Sequence, residues 1–258
     1  MNEMDGKMEK KAGVVNVFDA PYRSWSKRKT TPEEALELVE HEGLAWIEAL
    51  EVNDKLIEEV ATHVQAASRM LRIRADNSLE WHVDRALDNS TAYRQLREQM
   101  PEHVPEALDA YQSSYPEYDR IAVDEAINTY GIEIAEGQVL FHGGHWASAA
   151  HTLTTSRPFS TSFCPQVALR NAEWRGKAYD AGRVDLMVVR VAQPKTKAYA
   201  YGREGNHGNE KEIVFASGAQ LKHVRETHIA DVAVRKVISG IREHEKVVPA
   251  YVIEVEIS

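Results

Sequence analysis

The feature that most constrains the fold of this 258-residue chain is a change in the spacing of its apolar residues near Tyr130. Before this point, apolar residues recur every three to four positions, which is the period of an amphipathic helix. After it, short runs rich in β-branched residues are bounded by Gly, Pro or Ser, as is typical of strands. Because these strands do not alternate regularly with helices, the pattern favours an α+β fold over a doubly wound sheet.

The first half of the chain predicts a series of helices. In "TTPEEALELVEHEG", Thr31 is a suitable N-cap, Pro32 takes the first helical position and Gly43 fits the C-terminal stop. The same spacing predicts helices in NDKLIEEVATHVQAASRML, SLEWHVDRAL, STAYRQLREQM and VPEALDAYQSSY. We therefore expect an acidic helical lobe over residues 31–115, preceded by a basic polar segment over residues 1–30.

The second half predicts a β-rich domain over residues 116–258. Strands are expected in GQVLFHGG, RPFSTSF, RVDLMVVRVA, KEIVFASG, AQLKHVRETHI and PAYVIEVEIS. Two helices are expected among them. One is "PQVALRNAEWRG", between Pro165 and Gly176, and the other is "DVAVRKVISGIREH".

Charge and composition narrow the setting and the partners. Residues 31–138 hold 8 Lys+Arg against 24 Asp+Glu, whereas residues 139–258 hold 16 against 12. The acidic part is poorly suited to nucleic acid and is either a solvated helical surface or a docking face for a basic partner. No run approaches the roughly 18 apolar residues of a membrane span. The start "MNEMDGKMEKKAGVV" lacks the apolar core of a secretory signal, and the lone Cys164 cannot form an internal disulfide, so we expect a cytoplasmic protein.

Two acids stand at the start of an apolar run, "NEKEIVFASG". On a strand, Glu210 and Glu212 would share one face with Lys211 opposite, and their α-carbons would lie roughly 6.5–7 Å apart. Neighbouring carboxylates are costly to bury, although a cleft that uses both would justify the pair. A solvent-facing edge strand explains the pair equally well when it is considered alone.

Two further stretches carry polar groups at strand ends. In "RPFSTSFCPQVAL", Ser160 and Ser162 share a strand face, and the helix that starts near Pro165 offers free amides to an anionic ligand. In "GQVLFHGGHW", His142 ends an apolar strand, and Gly143 lets the backbone approach a ligand closely. A capped strand end and an ordinary turn explain these stretches if each is taken alone.

Taken together, in this order and spacing, the three stretches resemble the mono-ADP-ribosyltransferase family over about residues 116–258. That family has a strand ending in Arg or His, then a Ser-Thr-Ser strand leading into a helix, then a Glu-x-Glu strand. The segment "YDRIAVDEAINTYG" is similar to the helix that precedes the first strand in bacterial members. The chain departs from the usual Arg of the first motif, since "FHGG" looks more like diphtheria-toxin-like and poly-ADP-ribose-polymerase-like members.

The resemblance implies a split mixed β-sheet core and NAD+ as the substrate, with no metal. It implies that Glu212 stabilises the charge that develops on the ribose, that Ser160 orients Glu212, and that Glu210 faces the acceptor. The expected NAD+ contacts are His142, Gly143, Arg157, Thr161, Ser162 and Phe163, with Arg157 substituting for the missing phosphate-contacting Arg. The loop "KAYAYGREGNHG" would recognise the acceptor through Tyr199, Tyr201, Arg203, Asn206 and His207.

The implied function is transfer of ADP-ribose to a macromolecule, protein or RNA/DNA, by a cytoplasmic toxin of a toxin–antitoxin or phage-defence type. Such an enzyme would need a neutralising partner protein. Three alternatives stay open: an NAD+ glycohydrolase, a non-catalytic NAD- or RNA-binding module, and a metal hydrolase using His142, His145 and His151. The spacing of these histidines matches no metal motif, and Cys164 lacks an evident base to serve as a nucleophile.

Overall fold

The computed structural model describes residues 13–146, 151–204, 207–238 and 242–258. The chain divides into two compact units. One consists of residues 18–62, and the other contains residues 63–258 together with the preceding segment that ends at Val17. This division differs from the boundaries predicted at residues 30 and 115. No helix among the described residues has both the length and the apolar character needed to cross a membrane.

The unit of residues 18–62 is built on two antiparallel strands, β1 (Tyr22–Lys29) and β2 (Glu51–Val60). Helices α1 (Pro32–Glu42) and α2 (Trp46–Ala49) connect them. The helix predicted across residues 53–60 is therefore wrong, because this run pairs with residues 22–27 in a ladder that no local pattern reveals. The basic segment of residues 1–30 also contains regular structure, because its residues 22–29 form β1. The capping predicted for α1 is confirmed: the Thr31 side chain accepts from Glu34 N–H, and Gly43 adopts a left-handed conformation.

Helices of the larger unit cover the residues that lead into its sheet. The predicted helical segments are confirmed as α3 (His63–Ile73), α4 (Asn77–Asn89), α5 (Thr91–Glu98), α6 (Glu106–Ser113) and α7 (Arg120–Tyr130). Their buried faces carry Met70, Leu79, Leu87, Leu108 and Ile127. Helices α3 and α7 pack against strands of the sheet described below.

The larger unit contains a nine-stranded mixed sheet in the order β3-β8-β9-β6-β4-β7-β11-β10-β5. Its strands are β3 (Ile132–Glu133), β4 (Val139–Gly144), β5 (Thr152–Thr154), β6 (Phe159–Ser162), β7 (Val184–Val191), β8 (Lys197–Ala200), β9 (Glu212–Phe215), β10 (Gln220–Ile238) and β11 (Arg242–Ile257). Strands β7 and β11 run parallel. The predicted α+β class and mixed sheet are confirmed.

The helix predicted in "DVAVRKVISGIREH" is wrong. Residues 231–238 continue β10 and residues 242–244 begin β11, and these two strands pair antiparallel. Val232 and Val234 are buried while the residues between and beside them are exposed, which is the period-two pattern of a strand. If these residues formed a helix, they could not pair with β11. The pairing with β11 therefore decides their conformation.

The sheet is almost divided between β4 and β6. These strands share a single paired position, Phe141 with Ser162, whereas β4 and β7 pair over six positions. Helix α8 (Pro165–Glu173) packs on β4 beside this seam, and a 3-10 turn (Trp174–Gly176) leads from it into α9 (Lys177–Ala181). Strand ends with polar side chains therefore meet at one opening in the sheet.

Candidate active site

A cavity of about 720 Å³ opens at the seam between β4 and β6. This volume is within the range of pockets that hold small molecules of dinucleotide size. His142, Ser160, Glu210 and Glu212, which are distant in sequence, all line it. Side chains of α6, α8 and α9 complete the wall.

Glu212 lies at the start of β9 with 6% of its surface exposed. The Ser160 hydroxyl donates a short hydrogen bond to Oε1 of Glu212. The Gln112 amide donates to Oε2, with Nε2 and Oε2 2.9 Å apart. Each carboxylate oxygen is therefore held by one neutral donor, and each keeps accepting capacity for a ligand hydroxyl.

The environment of Glu212 raises its pKa into the neutral range. Burial raises the pKa of Glu212 to about 7, while the hydrogen bonds from Ser160 and Gln112 oppose this rise. Nearby Glu210 raises the pKa further, and His207 lowers it. A carboxyl group with this pKa titrates in the range where a catalytic acid or base works best.

Glu210 and Glu212 both reach the cavity, but not as neighbours on one strand. Glu210 ends a 3-10 turn (Gly208–Glu210), and Lys211 adopts a left-handed backbone conformation with φ 50°. The strand begins only at Glu212, so the predicted strand geometry of the pair is wrong. Lys211 is buried on the opposite side, where its Nζ lies 3.3 Å from Glu80 Oε1 and 3.2 Å from Asp84 Oδ1. These pairs fix the turn that separates the two acids.

The three hydroxyls of "STS" on β6 have different partners. Ser160 faces the carboxylate of Glu212, as described above. The Thr161 hydroxyl donates to the Ile213 carbonyl at 2.8 Å, and the Ser162 hydroxyl donates to the Glu210 carbonyl at 2.6 Å. Thr161 and Ser162 thus connect β6 to the segment that holds both acids, and both also border the cavity.

His142 lies beside this pair of strands as a neutral imidazole. Its Nδ1 is 2.6 Å from the Ser160 carbonyl, which only accepts hydrogen bonds, so Nδ1 carries the proton and Nε2 is an acceptor. Burial lowers the pKa of His142 to about 4, and the cations Lys177 and Arg157 contribute to this lowering. The ring therefore stays neutral at pH 7.

Packing requires a glycine at position 143, in addition to the predicted close approach of the backbone to a ligand. Gly143 lines the cavity, but a Cβ at this position would overlap the Ala168 carbonyl oxygen of α8. The first turn of α8, in contrast, faces away from the cavity. Gln166 there bonds to Asp76 N–H and to Glu80, and residues 165–167 do not line the cavity, so an anion at this helix N-terminus stays a prediction.

A cationic and aromatic wall lies on the other side of the cavity. Arg157 is exposed and donates to the Tyr115 hydroxyl at 3.3 Å. Lys177 Nζ lies 5.3 Å from the Trp174 ring centroid and 5.9 Å from that of Tyr115. Burial, followed by the charge of Arg157, lowers the pKa of Lys177. Among the described residues no carboxylate pairs with Arg157 or Lys177, so this wall is suited to an anionic ligand.

Two of the predicted target-recognition residues are buried, and a third is paired with a helix. Tyr199 on β8 and Tyr201 just after this strand are 0% and 3% exposed, and the Tyr201 hydroxyl donates to the Leu108 carbonyl. Arg203 forms ion pairs with acids of α4, Asp84 and Asp88. Asn206 lies outside the described residues. His207 does border the cavity, with Nδ1 3.2 Å from Glu210 Oε1.

Phe163 and Cys164 lie in the core rather than in the cavity wall. Phe163 is 1% exposed and meets the Tyr93 ring edge-on, so the predicted contact with NAD+ is not supported. Burial raises the pKa of Cys164 to about 11, which leaves the thiol protonated at neutral pH. No group of three or more His, Cys, Asp or Glu side chains in the described part of the chain is arranged to hold a metal ion.

The sequence patterns missed the part of the site that comes from α6 and from the turn after α8. Tyr111, Gln112, Tyr115, Trp174 and Lys177 all line the cavity. One signal was present in α6, where Leu108, Tyr111 and Gln112 share a helix face, so that a polar amide lies on an otherwise apolar stripe. Trp174 and Lys177 follow a helix stop, and no local pattern marks them.

No family model matches the chain, and no curated protein matches it. Among solved structures, it is similar to the enzymatic component C2-I of the Clostridium botulinum C2-toxin, with 12% identity, TM-score 0.38 and coverage of 64% of this chain and 45% of that chain. It is also similar to Vis toxin, an ADP-ribosyltransferase from Vibrio splendidus, with 17% identity, TM-score 0.32 and coverage of 88% and 74%. A third is exoenzyme S from Pseudomonas aeruginosa, with 14% identity, TM-score 0.29 and coverage of 74% and 72%. The chain spans less than half the length of the C2-toxin component.

Proposed function

We propose that this protein is a mono-ADP-ribosyltransferase that cleaves the nicotinamide–ribose bond of NAD+ and transfers ADP-ribose to a macromolecule. The observation that carries the proposal is the meeting of His142, Ser160 and Glu212 in one cavity large enough for a dinucleotide. The carboxylate is buried and oriented by a serine, and a neutral imidazole lies next to the same serine.

The chemistry requires a fixed negative charge beside the ribose. When the bond between C1′ and the nicotinamide nitrogen breaks, nicotinamide leaves with the electron pair and positive charge develops on the ribose. Ionised Glu212 stabilises that charge while accepting a ribose hydroxyl, and Ser160 keeps its oxygen in place. The acceptor atom then bonds to C1′ and gives its proton to Glu210, whose side chain is partly exposed in the cavity wall.

The cationic and aromatic wall supports a role in holding the rest of the dinucleotide. Arg157 and Lys177 suit the pyrophosphate, which carries two negative charges, and Trp174 and Tyr115 offer ring faces to a base. His142 Nε2 is an acceptor and suits a ribose hydroxyl. In this proposal, these residues together take over the role of the Arg that is usual in the first motif and is absent from this chain.

The proposal leaves open whether the acceptor is a macromolecule or water. For the transferase, the candidate acceptors are protein, RNA and DNA. Tyr199 and Tyr201 are buried and Arg203 is paired with acids of α4, so the acceptor contacts predicted for these three residues gain no support. That placement favours a second candidate function, NAD+ glycohydrolase, in which water takes the place of the acceptor.

We also propose that the enzyme acts as a cytoplasmic toxin of a toxin–antitoxin or phage-defence type and is neutralised by a partner protein. Support for a partner comes from the unit of residues 18–62. Its side chains Trp46, Ile47 and Ile57 are 54%, 76% and 64% exposed, and six acids lie between residues 33 and 48. Exposed apolar side chains among like charges suit a basic partner with an apolar centre.

The proposal is tested by incubating the purified protein with NAD+ labelled in the adenosine part and with cell lysate. The wild type should release nicotinamide and label a macromolecule, and Glu212→Gln should reduce both rates by at least about a hundredfold. Glu136→Gln, at an exposed position outside the cavity, is the matched control and should behave as wild type. Treatment with protease or nuclease identifies the acceptor class.

Each alternative gives a different result in the same assay. Nicotinamide release without any labelled macromolecule indicates the glycohydrolase. Binding of NAD+ without cleavage indicates a binding module, and loss of activity with a chelator indicates a metal hydrolase. Wild-type rates in Glu212→Gln would exclude the assigned role of this residue.

A further inference from the structure

Helix α6 brings the side chain of Gln112 to the carboxylate of Glu212 in the candidate site. Gln112 Nε2 lies 2.9 Å from Glu212 Oε2, although the two residues are 100 positions apart in the chain. Ser160, on the opposite side, holds Oε1. With a donor on each oxygen, the carboxylate plane cannot rotate freely about the terminal bond of Glu212.

Helix α6 is itself held firmly in this position. The hydroxyl of Tyr201, a buried residue that directly follows β8, donates to the Leu108 carbonyl at 2.9 Å. The Tyr111 ring, 5% exposed, meets the ring of Tyr118 edge-on, with centroids 4.7 Å apart. Gln112 therefore reaches Glu212 from a helix fixed on both sides, and the contact does not depend on an isolated flexible side chain.

We propose that Gln112 is a positioning residue for Glu212, which fixes the second carboxylate oxygen and favours the ionised form of the acid that the reaction needs. This inference rests on the proposed function of Glu212, and it extends that function to a residue outside the three motifs. A primary amide suits the role, because it donates a hydrogen bond without adding charge and does not titrate between pH 4 and 10. Removing the donor leaves a buried carboxylate with one partner fewer, which favours protonation.

The test compares Gln112→Leu with wild type in the pH dependence of kcat/KM for NAD+ cleavage. Activity should rise with pH in both, since the ionised acid is the active form. In the variant, the midpoint should lie about one pH unit higher. The rate at pH 6.5 should therefore fall up to about tenfold and recover largely at pH 9. Gln95→Leu, at an exposed position of α5, is the matched control and should keep the wild-type midpoint.

A second measurement separates this inference from the proposed function. The side-chain carboxyl of Glu212 is followed by carbon-13 NMR in protein labelled on glutamate, with Glu212→Gln identifying the signal. Gln112→Leu should raise the titration midpoint, and the isosteric Gln112→Glu should raise it further, because two adjacent carboxyls share a charge unfavourably. Midpoints equal to wild type in folded variants overturn the inference. Wild-type protein that leaves NAD+ intact overturns the proposed function, while the NMR titration still decides the role of Gln112.

Discussion

At the scale of single residues, burial of one carboxyl group dominates the candidate site. Glu212 is 6% exposed, and its pKa rises from 4.5 to about 7 because its charged form loses contact with water. The native state therefore holds this proton more tightly than the unfolded chain does. The stabilising contribution of the neutral acid is complete below pH 4.5 and is lost as pH rises through about 7.

We expect Glu212→Gln to be more stable than wild type above neutral pH. At pH 8, the ionised carboxyl lowers the free energy of unfolding of the wild type by up to roughly 3 kcal/mol, a cost that the neutral amide does not have. At pH 5 the difference should shrink to less than about 1 kcal/mol, since the native carboxyl is then protonated and only the carboxyl of the unfolded chain is ionised. Thermal unfolding at both pH values measures the difference.

The exposed-site variant Glu136→Gln provides the reference for that comparison. It should match wild type at pH 5 and at pH 8, because Glu136 is exposed in both native and unfolded states. A Glu212→Gln protein that is less stable than wild type at pH 8 would contradict the assigned burial cost.

Residue patterns anticipated one half of the site and missed the other. The short motifs can be recognised in the sequence without knowledge of the fold. They contain His142, Ser160 and Glu212. Gln112 and Lys177 lie on helices whose approach to the cavity depends on packing between distant segments. A local pattern contains no information about that approach.

At the scale of elements, the close contact between β4 and α8 depends on a glycine. Gly143 has no side chain at the point where the backbone of α8 crosses β4, and a Cβ there would lie 2.6 Å from the Ala172 nitrogen as well as overlapping the Ala168 carbonyl. Backbone atoms of a helix cannot move aside individually. The helix can approach the strand this closely only because the position is glycine.

We expect Gly143→Ala to lower the free energy of unfolding by about 3 kcal/mol, because α8 must move away from β4 to admit the methyl group. Urea unfolding of the purified variant measures this change. Gly13→Ala is the control, since its Cβ would meet the nearest atom, Cβ of Ala92, at an ordinary 3.6 Å. A loss in Gly143→Ala no larger than in the control would show that the two elements are not in direct contact.

Two elements show how pairing overrides local periodicity. Residues 53–60 and 231–238 both have apolar residues at spacings compatible with a helix, yet both are strands. Each finds a partner strand that satisfies its backbone hydrogen bonds, residues 22–27 in the first case and 242–249 in the second. Helices with caps and strongly amphipathic faces, such as α1 and α4, were predicted correctly because their signals are local.

At the scale of the whole molecule, stability should be distributed unevenly over the sheet. Strand β7 is paired on both edges, with β4 and β11, and all of its residues except Arg190 are buried. Strand β5 is three residues long and lies at an edge. In the unit of residues 18–62, Leu56 and Ile57 of β2 are exposed. Local opening requires least free energy where few apolar side chains are buried.

We expect amides of β7 to show the slowest hydrogen exchange in the native protein, and those of β5, β1 and β2 to exchange much faster. Mass spectrometry of peptides from protein exchanged at neutral pH measures the order. Peptides from β7 that exchange as fast as those from β1 would contradict this distribution of stability.

The sequence by itself determined the α+β class, the capped helices, the β-rich second half and the three motifs, because each depends on residues that are neighbours in the chain. Only the tertiary structure decided the antiparallel pairing of β10 with β11, the strand at residues 51–60, the turn that separates Glu210 from Glu212, and the arrival of Gln112 and Lys177 at the cavity. Those features depend on backbone pairing and on packing between residues far apart in sequence, and the free energy of such contacts exists only when the distant segments are brought together.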